Sequence, residues 1–194
     1  MTLARGHLVD VPEDPFAGGS LRSHVDGALL VRDGVIQARG AAAELATAHP
    51  DEPVLDLRGG LVLPGLVDTH VHYPQVRIVG GLGRQLLEWL DERALPEEMR
   101  LADRTYARAV AEEFVTSLVS AGTTTALVFG AHFPDAVDEL FAATHDAGLR
   151  VAAGLVVSDR FLPAPLLTTP ERALAEGLRL AEQWHGVRSE ERRV

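Results

Sequence analysis

A chain of 194 residues with 46% hydrophobic content can bury roughly 70% of the surface its unfolded form exposes, as one domain or slightly more. The absence of cysteine excludes disulfides, thiolate ligands, a thiol nucleophile and the Cys-x-x-Cys type of nucleobase deaminase site. A formal charge of -10, with every basic residue an arginine, argues against a nucleic-acid partner, and no apolar run approaches the ~20 residues that span a bilayer. The first residues are too polar and broken for a signal peptide, so the expected location is cytoplasmic.

Residues 1–60 read as a small β-rich, β-sandwich-like N-terminal unit. Ala28 to Ala38 holds two short apolar strands around Asp33-Gly34, a strong hairpin signal. Ala41 to Ala48 suits a short helix. Val54 to Arg58 alternates apolar with polar residues, as a half-exposed strand does, and Gly59-Gly60 breaks that pattern.

From Leu61 the rhythm becomes strand, helix, strand, helix. Leu61 to Val67 is a near-continuous apolar run, the pattern of a strand buried on both faces. Asp103 to Ala121 repeats apolar residues at helical spacing through Tyr106, Val110, Phe114 and Leu118, with Gly122 in the stop position. Thr123 to Phe129 is the next buried strand. Pro134 opens a helix that runs to Gly148, and Leu149 to Val157 is a third buried strand. Thr169-Pro170-Glu171 opens a last helix with Leu174, Leu178, Ala181 and Trp184 inward. Such alternation implies a parallel sheet with right-handed crossovers. Where a doubly wound sheet carries a glycine-rich phosphate loop, this chain has His70-Val71-His72. Ligands at the end of the first parallel strand fit an α/β fold of the incomplete (β/α)8 TIM barrel kind, with about three βα units over residues 61–186.

Side chains alternate faces along a strand, so His70 and His72 project the same way, one pleat apart. Two imidazoles on one side of a strand end can grip a single metal ion. Asp68 shares their face, either orienting a ligand or pairing within the barrel floor. His132 follows a barrel-like strand, where capping the strand-to-helix turn is its expected role. His145 and His185 sit toward helix C-termini, where a cation suits the dipole. Glu88, Glu112 and Glu113 read as solvated carboxylates.

The pattern Pro-Gly-Leu-Val-Asp-Thr-His-Val-His-Tyr-Pro-Gln at 64 to 75 resembles the amidohydrolase superfamily and, within it, the guanine deaminases. Gln85-Leu86-Leu87-Glu88-Trp89-Leu90, Gly122 to Phe129 and Trp184-His185-Gly186 support the narrower resemblance. It implies a zinc hydrolase that converts guanine and water to xanthine and ammonia. Carried over, His70 and His72 are zinc ligands, Gln75 hydrogen-bonds the purine edge, and Trp89 lies in the segment covering the site. Two imidazoles alone do not select zinc over iron or manganese. Relatives are commonly homodimers.

The same resemblance places the remaining ligands and the proton-shuttling Glu in later strands, so no catalytic residue is assigned within this chain. Residues 187–194 are polar and unlike the family's next strand, and the chain reads as truncated. A barrel takes ~250 residues, so three strands are expected to leave a bare edge and an uncovered inner face.

Overall fold

A computed structural model of the protein describes residues 2–81 and 83–187. All of the expected polar tail except Val187 lies outside the described residues. The chain divides into two units, Met1–Pro64 and Gly65–Val194.

The first unit holds β1 (Thr2–Asp10), β2 (Arg22–Arg32), β3 (Val35–Ala41), α1 (Ala42–Ala48) and β4 (Val54–Val62). The strands form one sheet in the order β3-β2-β1-β4, with β1 antiparallel to β2 and parallel to β4. Asp33 (φ 52°) and Gly34 (φ 77°) both adopt positive φ between β2 and β3, the geometry that two-residue hairpin loops require. The small core is Leu3, Ala28, Leu30 and Ala42, with Ala38 and Leu45 against it.

The sandwich-like expectation is corrected here. All four strands share one sheet, and it is α1, rather than a second sheet, that packs on the buried side chains. Nor did the sequence reading find β1. Its register against both neighbours shifts near Gly6, and a bulge of this kind breaks the period-two pattern that marks a strand.

The second unit contains β5 (Leu66–His72), a short helical stretch made of α2 (Leu86–Trp89), a π turn (Leu90–Ala94) and α3 (Leu95–Arg100), then α4 (Arg104–Ser120), β6 (Thr123–Phe129), α5 (Pro134–Ala147), β7 (Arg150–Gly154) and α6 (Pro170–Trp184). β5, β6 and β7 form a parallel sheet in that order, the arrangement expected of consecutive barrel strands. The Asp103 side chain caps α4 by accepting the backbone N–H of Thr105 and Tyr106, and Thr169 caps α6 through the N–H of Arg172. Gly122 and Gly148 follow α4 and α5 at φ 83° and 74°, where a residue without Cβ ends a helix at no steric cost.

The core lies between the helices and one face of the sheet. Val110, Phe114 and Leu118 of α4 and Val137 and Leu140 of α5 meet Ala126 and Val128 of β6. On the other face Leu127 is 52% and Phe129 44% exposed. Consecutive acids on α5 clamp the helical layer: Glu139 receives Arg104 and Arg108 from α4, while Asp138 receives Arg179 and the Trp184 indole N–H from α6.

Three strand and helix expectations are revised. The apolar run from Leu61 is split, because Leu61 and Val62 complete β4 against β1 and Pro64, lacking an N–H, stops the ladder. β5 is not buried on both faces, with Leu66 and Val67 56% and 64% exposed, because among the described residues helices cover one side of this sheet. The third strand is shorter, Arg150–Gly154. On α6, Leu174 and Leu178 are 65% and 55% exposed and Ala181 is exposed too; Trp184 turns inward as expected, with its indole N–H bonded to Asp138, and Leu180 joins it in the core in place of the other three.

Candidate functional site

The end of β5 is shaped by a break in its pairing. The register with β6 shifts between Asp68 and Val71, and Asp68 Oδ1 accepts the His70 backbone N–H at 3.0 Å. Asp68 thus holds the strand backbone under the first histidine, and irregularities of this kind re-aim side chains beside functional sites. Val71 turns into the core, and the two imidazoles point together on the other side. Their Nε2 atoms lie 3.2 Å apart and their ring centroids 5.2 Å apart.

Phe129, at the end of β6, is the floor of this pair. His72 stacks on it at 4.5 Å with the planes 4° apart, and His70 tilts against the same ring at 5.0 Å. Burial, and then the neighbouring His70, hold His72 below the usual imidazole pKa. That shift favours the neutral ring, the form a metal ion binds.

The Nε2 separation fits a shared cation. With metal–nitrogen bonds of about 2.05 Å, a 3.2 Å separation corresponds to an angle of roughly 103° at the metal, close to tetrahedral. Among the described residues no third His, Asp or Glu joins this pair in a metal-binding group.

A 3-10 turn (Tyr73–Ile78) follows β5 and is fixed from below. Tyr73 and Pro74 are buried. Tyr73 donates its hydroxyl proton to the Ala107 carbonyl at 2.8 Å and sets its ring against the edge of Phe114. Arg77 bonds Glu113 at 2.7 Å and lies over the Tyr106 ring. Between these anchors Gln75 is half-buried, and its Nε2–H donates to Glu98 Oε1 of α3 at 3.2 Å.

His132 does not act as a turn cap. Its side chain is 5% exposed, with Nδ1 3.0 Å from Glu98 Oε2, because α3 brings a carboxylate to the end of β6. Trp89, at the end of α2, sets its indole Nε1 close to where a side chain on Gly81 would stand, and among the described residues it makes no ring contact with either histidine. Glu88 and Glu112 are exposed, as is Glu113 apart from its pairing with Arg77.

Sequence reasoning missed Phe129 and Glu98. Phe129 was visible as the last residue of the β-branched run 123–129, in register with His72. Glu98 bonds Gln75 across 23 positions, a distance that periodicity does not register, and only Pro96 hinted that a helix starts there.

Residues 61–192 match the amidohydrolase family, and residues 27–51 match the bacterial imidazolonepropionase-like composite domain. The chain is 57% identical over 192 residues to a probable guanine deaminase of Deinococcus radiodurans, covering 96% of this chain and 44% of that protein. The structure of Escherichia coli guanine deaminase matches it with a TM-score of 0.90 at 40% identity, over 96% of this chain and 44% of that one. An adenosine deaminase of Xanthomonas campestris with bound zinc shares the fold, with a TM-score of 0.69 at 21% identity over 95% of this chain and 40% of that one. The chain therefore spans under half the length of these relatives.

Proposed function

The chain belongs to the amidohydrolase family, and from that premise we propose that it carries part of the site of a guanine deaminase, which hydrolyses guanine to xanthine and ammonia. The observation that carries the reading is the paired imidazole rim, with Nε2 atoms 3.2 Å apart at the end of the first parallel strand. The purine assignment is supported by 57% identity to a probable guanine deaminase over nearly the whole chain.

His70 and His72 are the residues we assign to zinc. A cation held there supplies a nucleophile at neutral pH by lowering the pKa of water to ~7. Imidazole also suits iron and manganese. Asp68 and Phe129 keep the two rings converged, Val71 anchors the strand between them, and Gln75 takes the purine edge. Trp89 remains a candidate contact from the covering segment. Deamination also needs a carboxylate or imidazole to carry a proton to the departing amine, and among the described residues no carboxylate joins the histidine pair.

A chimera tests the reading. Residues 61–186 of this chain replace the matching stretch of the E. coli enzyme, and xanthine formation from guanine is followed with zinc added. Turnover that is lost on His70→Ala or His72→Ala supports the assignment. A folded, zinc-loaded chimera that accepts another purine or a cyclic amide but not guanine refutes it.

A further inference from the structure

Glu98 is a largely buried carboxylate for which the proposed chemistry has no use. Its side chain is 12% exposed, yet it touches two residues at the mouth of the sheet. Oε1 accepts the Nε2–H of Gln75 at 3.2 Å, and Oε2 lies 3.0 Å from His132 Nδ1. The His132 contact lacks an aligned hydrogen bond, and both ring nitrogens of this 5% exposed side chain have no hydrogen-bond partner. A buried polar group left in that state calls for an explanation, such as an incoming ligand or water.

The direction of the Gln75 bond decides what a ligand meets. An ionised carboxylate accepts and never donates, whereas an amide can do either. With its NH2 group turned to Glu98, Gln75 presents Oε1, an acceptor. We propose that Glu98 is a positioning residue that locks the Gln75 amide in this sense, so that the site selects a ligand through an N–H donor edge. The proposal rests on the purine reading: guanine carries N–H donors at N1, at its 2-amino group and on its imidazole ring. Without the carboxylate the amide rotates, and an acceptor edge is received as readily as a donor edge.

The test uses the whole chain with zinc added, as wild type, Glu98→Gln, Glu98→Asp and Glu98→Ala. Equilibrium dialysis compares guanine with hypoxanthine, which lacks the amino donor, and with 9-methylguanine, which lacks a ring donor. Wild type is expected to prefer guanine over at least one analogue by roughly tenfold, as for one directional hydrogen bond. Glu98→Gln should collapse that preference and Glu98→Asp should restore part of it. Equal loss for all three purines marks a merely structural role and overturns the proposal. In parallel, the two side-chain amide protons of Gln75 are resolved by NMR. They should be well separated in wild type and converge in Glu98→Ala; an unchanged pair overturns the proposal. If no purine binds to wild type while the Gln75 signals respond to Glu98, the purine reading fails and the positioning role stands.

Discussion

Replacing Asp138 by alanine should loosen α6 from the helical layer. Asp138 Oδ1 accepts the Trp184 indole N–H at 2.8 Å, and Oδ2 meets Arg179 at 3.2 Å. Leaving the partly buried indole donor without an acceptor costs about 1–3 kcal/mol. Arg179 is 44% exposed, so its share is small, of the order of 0–1 kcal/mol for a surface pair. The sum is about 1–4 kcal/mol, or roughly 2–16 °C in Tm for a chain of this size. Asp138→Asn keeps an oxygen for the indole and loses only the charge, so it should cost under about 1 kcal/mol. The chain has two tryptophans, so a Trp89→Phe background leaves Trp184 as the sole fluorescent reporter for urea unfolding. Hydrogen exchange along α6 should accelerate in Asp138→Ala ahead of α4. Equal damage from Asn and Ala would refute the view that the indole bond, rather than the charge, holds this helix.

Three further outcomes follow from the geometry. Hydrogen bonds from Arg108, and then Arg104, hold the Glu139 carboxyl below the usual carboxylate pKa against the opposing effect of its burial; a depressed folded pKa gives stability that is present above the unfolded value of ~4.3 and lost as pH falls through the folded one. The stability gap between wild type and Glu139→Gln, read from urea midpoints, should therefore be constant from pH 6 upward and shrink below about pH 4.5. Both tyrosines are pushed above their ordinary value, Tyr73 mainly by burial and Tyr106 by burial and its bond to Glu97; ultraviolet titration should show no phenolate step near ~10 while the chain is folded. Phe129→Ala removes the ring on which both histidines rest, and zinc affinity measured with a competing chelator should fall about 10-fold, in the range for removal of a group that orients metal ligands.

Much of the second unit was legible because each of its signals is local. Asp103 before an apolar stripe, Gly122 after it, Pro134 at a first turn and Gly148 at a last one each act within a few residues. All four stand where the sequence placed them. The misplacements on β5 and α6 share one cause. A run such as Leu61 to Val67 records what a strand can bury, and the number of faces covered depends on layers contributed from elsewhere. Leu174 and Leu178 satisfy helical periodicity as well as Leu180 does. The indole bond to Asp138, 46 positions away, selects which side of α6 turns in.

The histidine pair was readable for the same local reason: strand period puts both side chains on one face. One intervening residue places two imidazoles on one face about 6.6 Å apart along the strand, and the 3.2 Å between their Nε2 atoms needs the rings to lean together. What holds the pair is less local. Phe129 arrives from the neighbouring strand, and Asp68 acts through the His70 backbone N–H where the register with β6 shifts. The polar cluster of Gln75, Glu98 and His132 lies further still from sequence logic, since its three members come from the turn after β5, from α3 and from the turn after β6. Motif spacing thus reports where a cation can be gripped, whereas the orientation of the group that reads a ligand is decided by tertiary contacts. Variation at Glu98 should therefore change how the Gln75 amide is oriented while leaving the paired imidazoles untouched, and the two properties are separable by mutation.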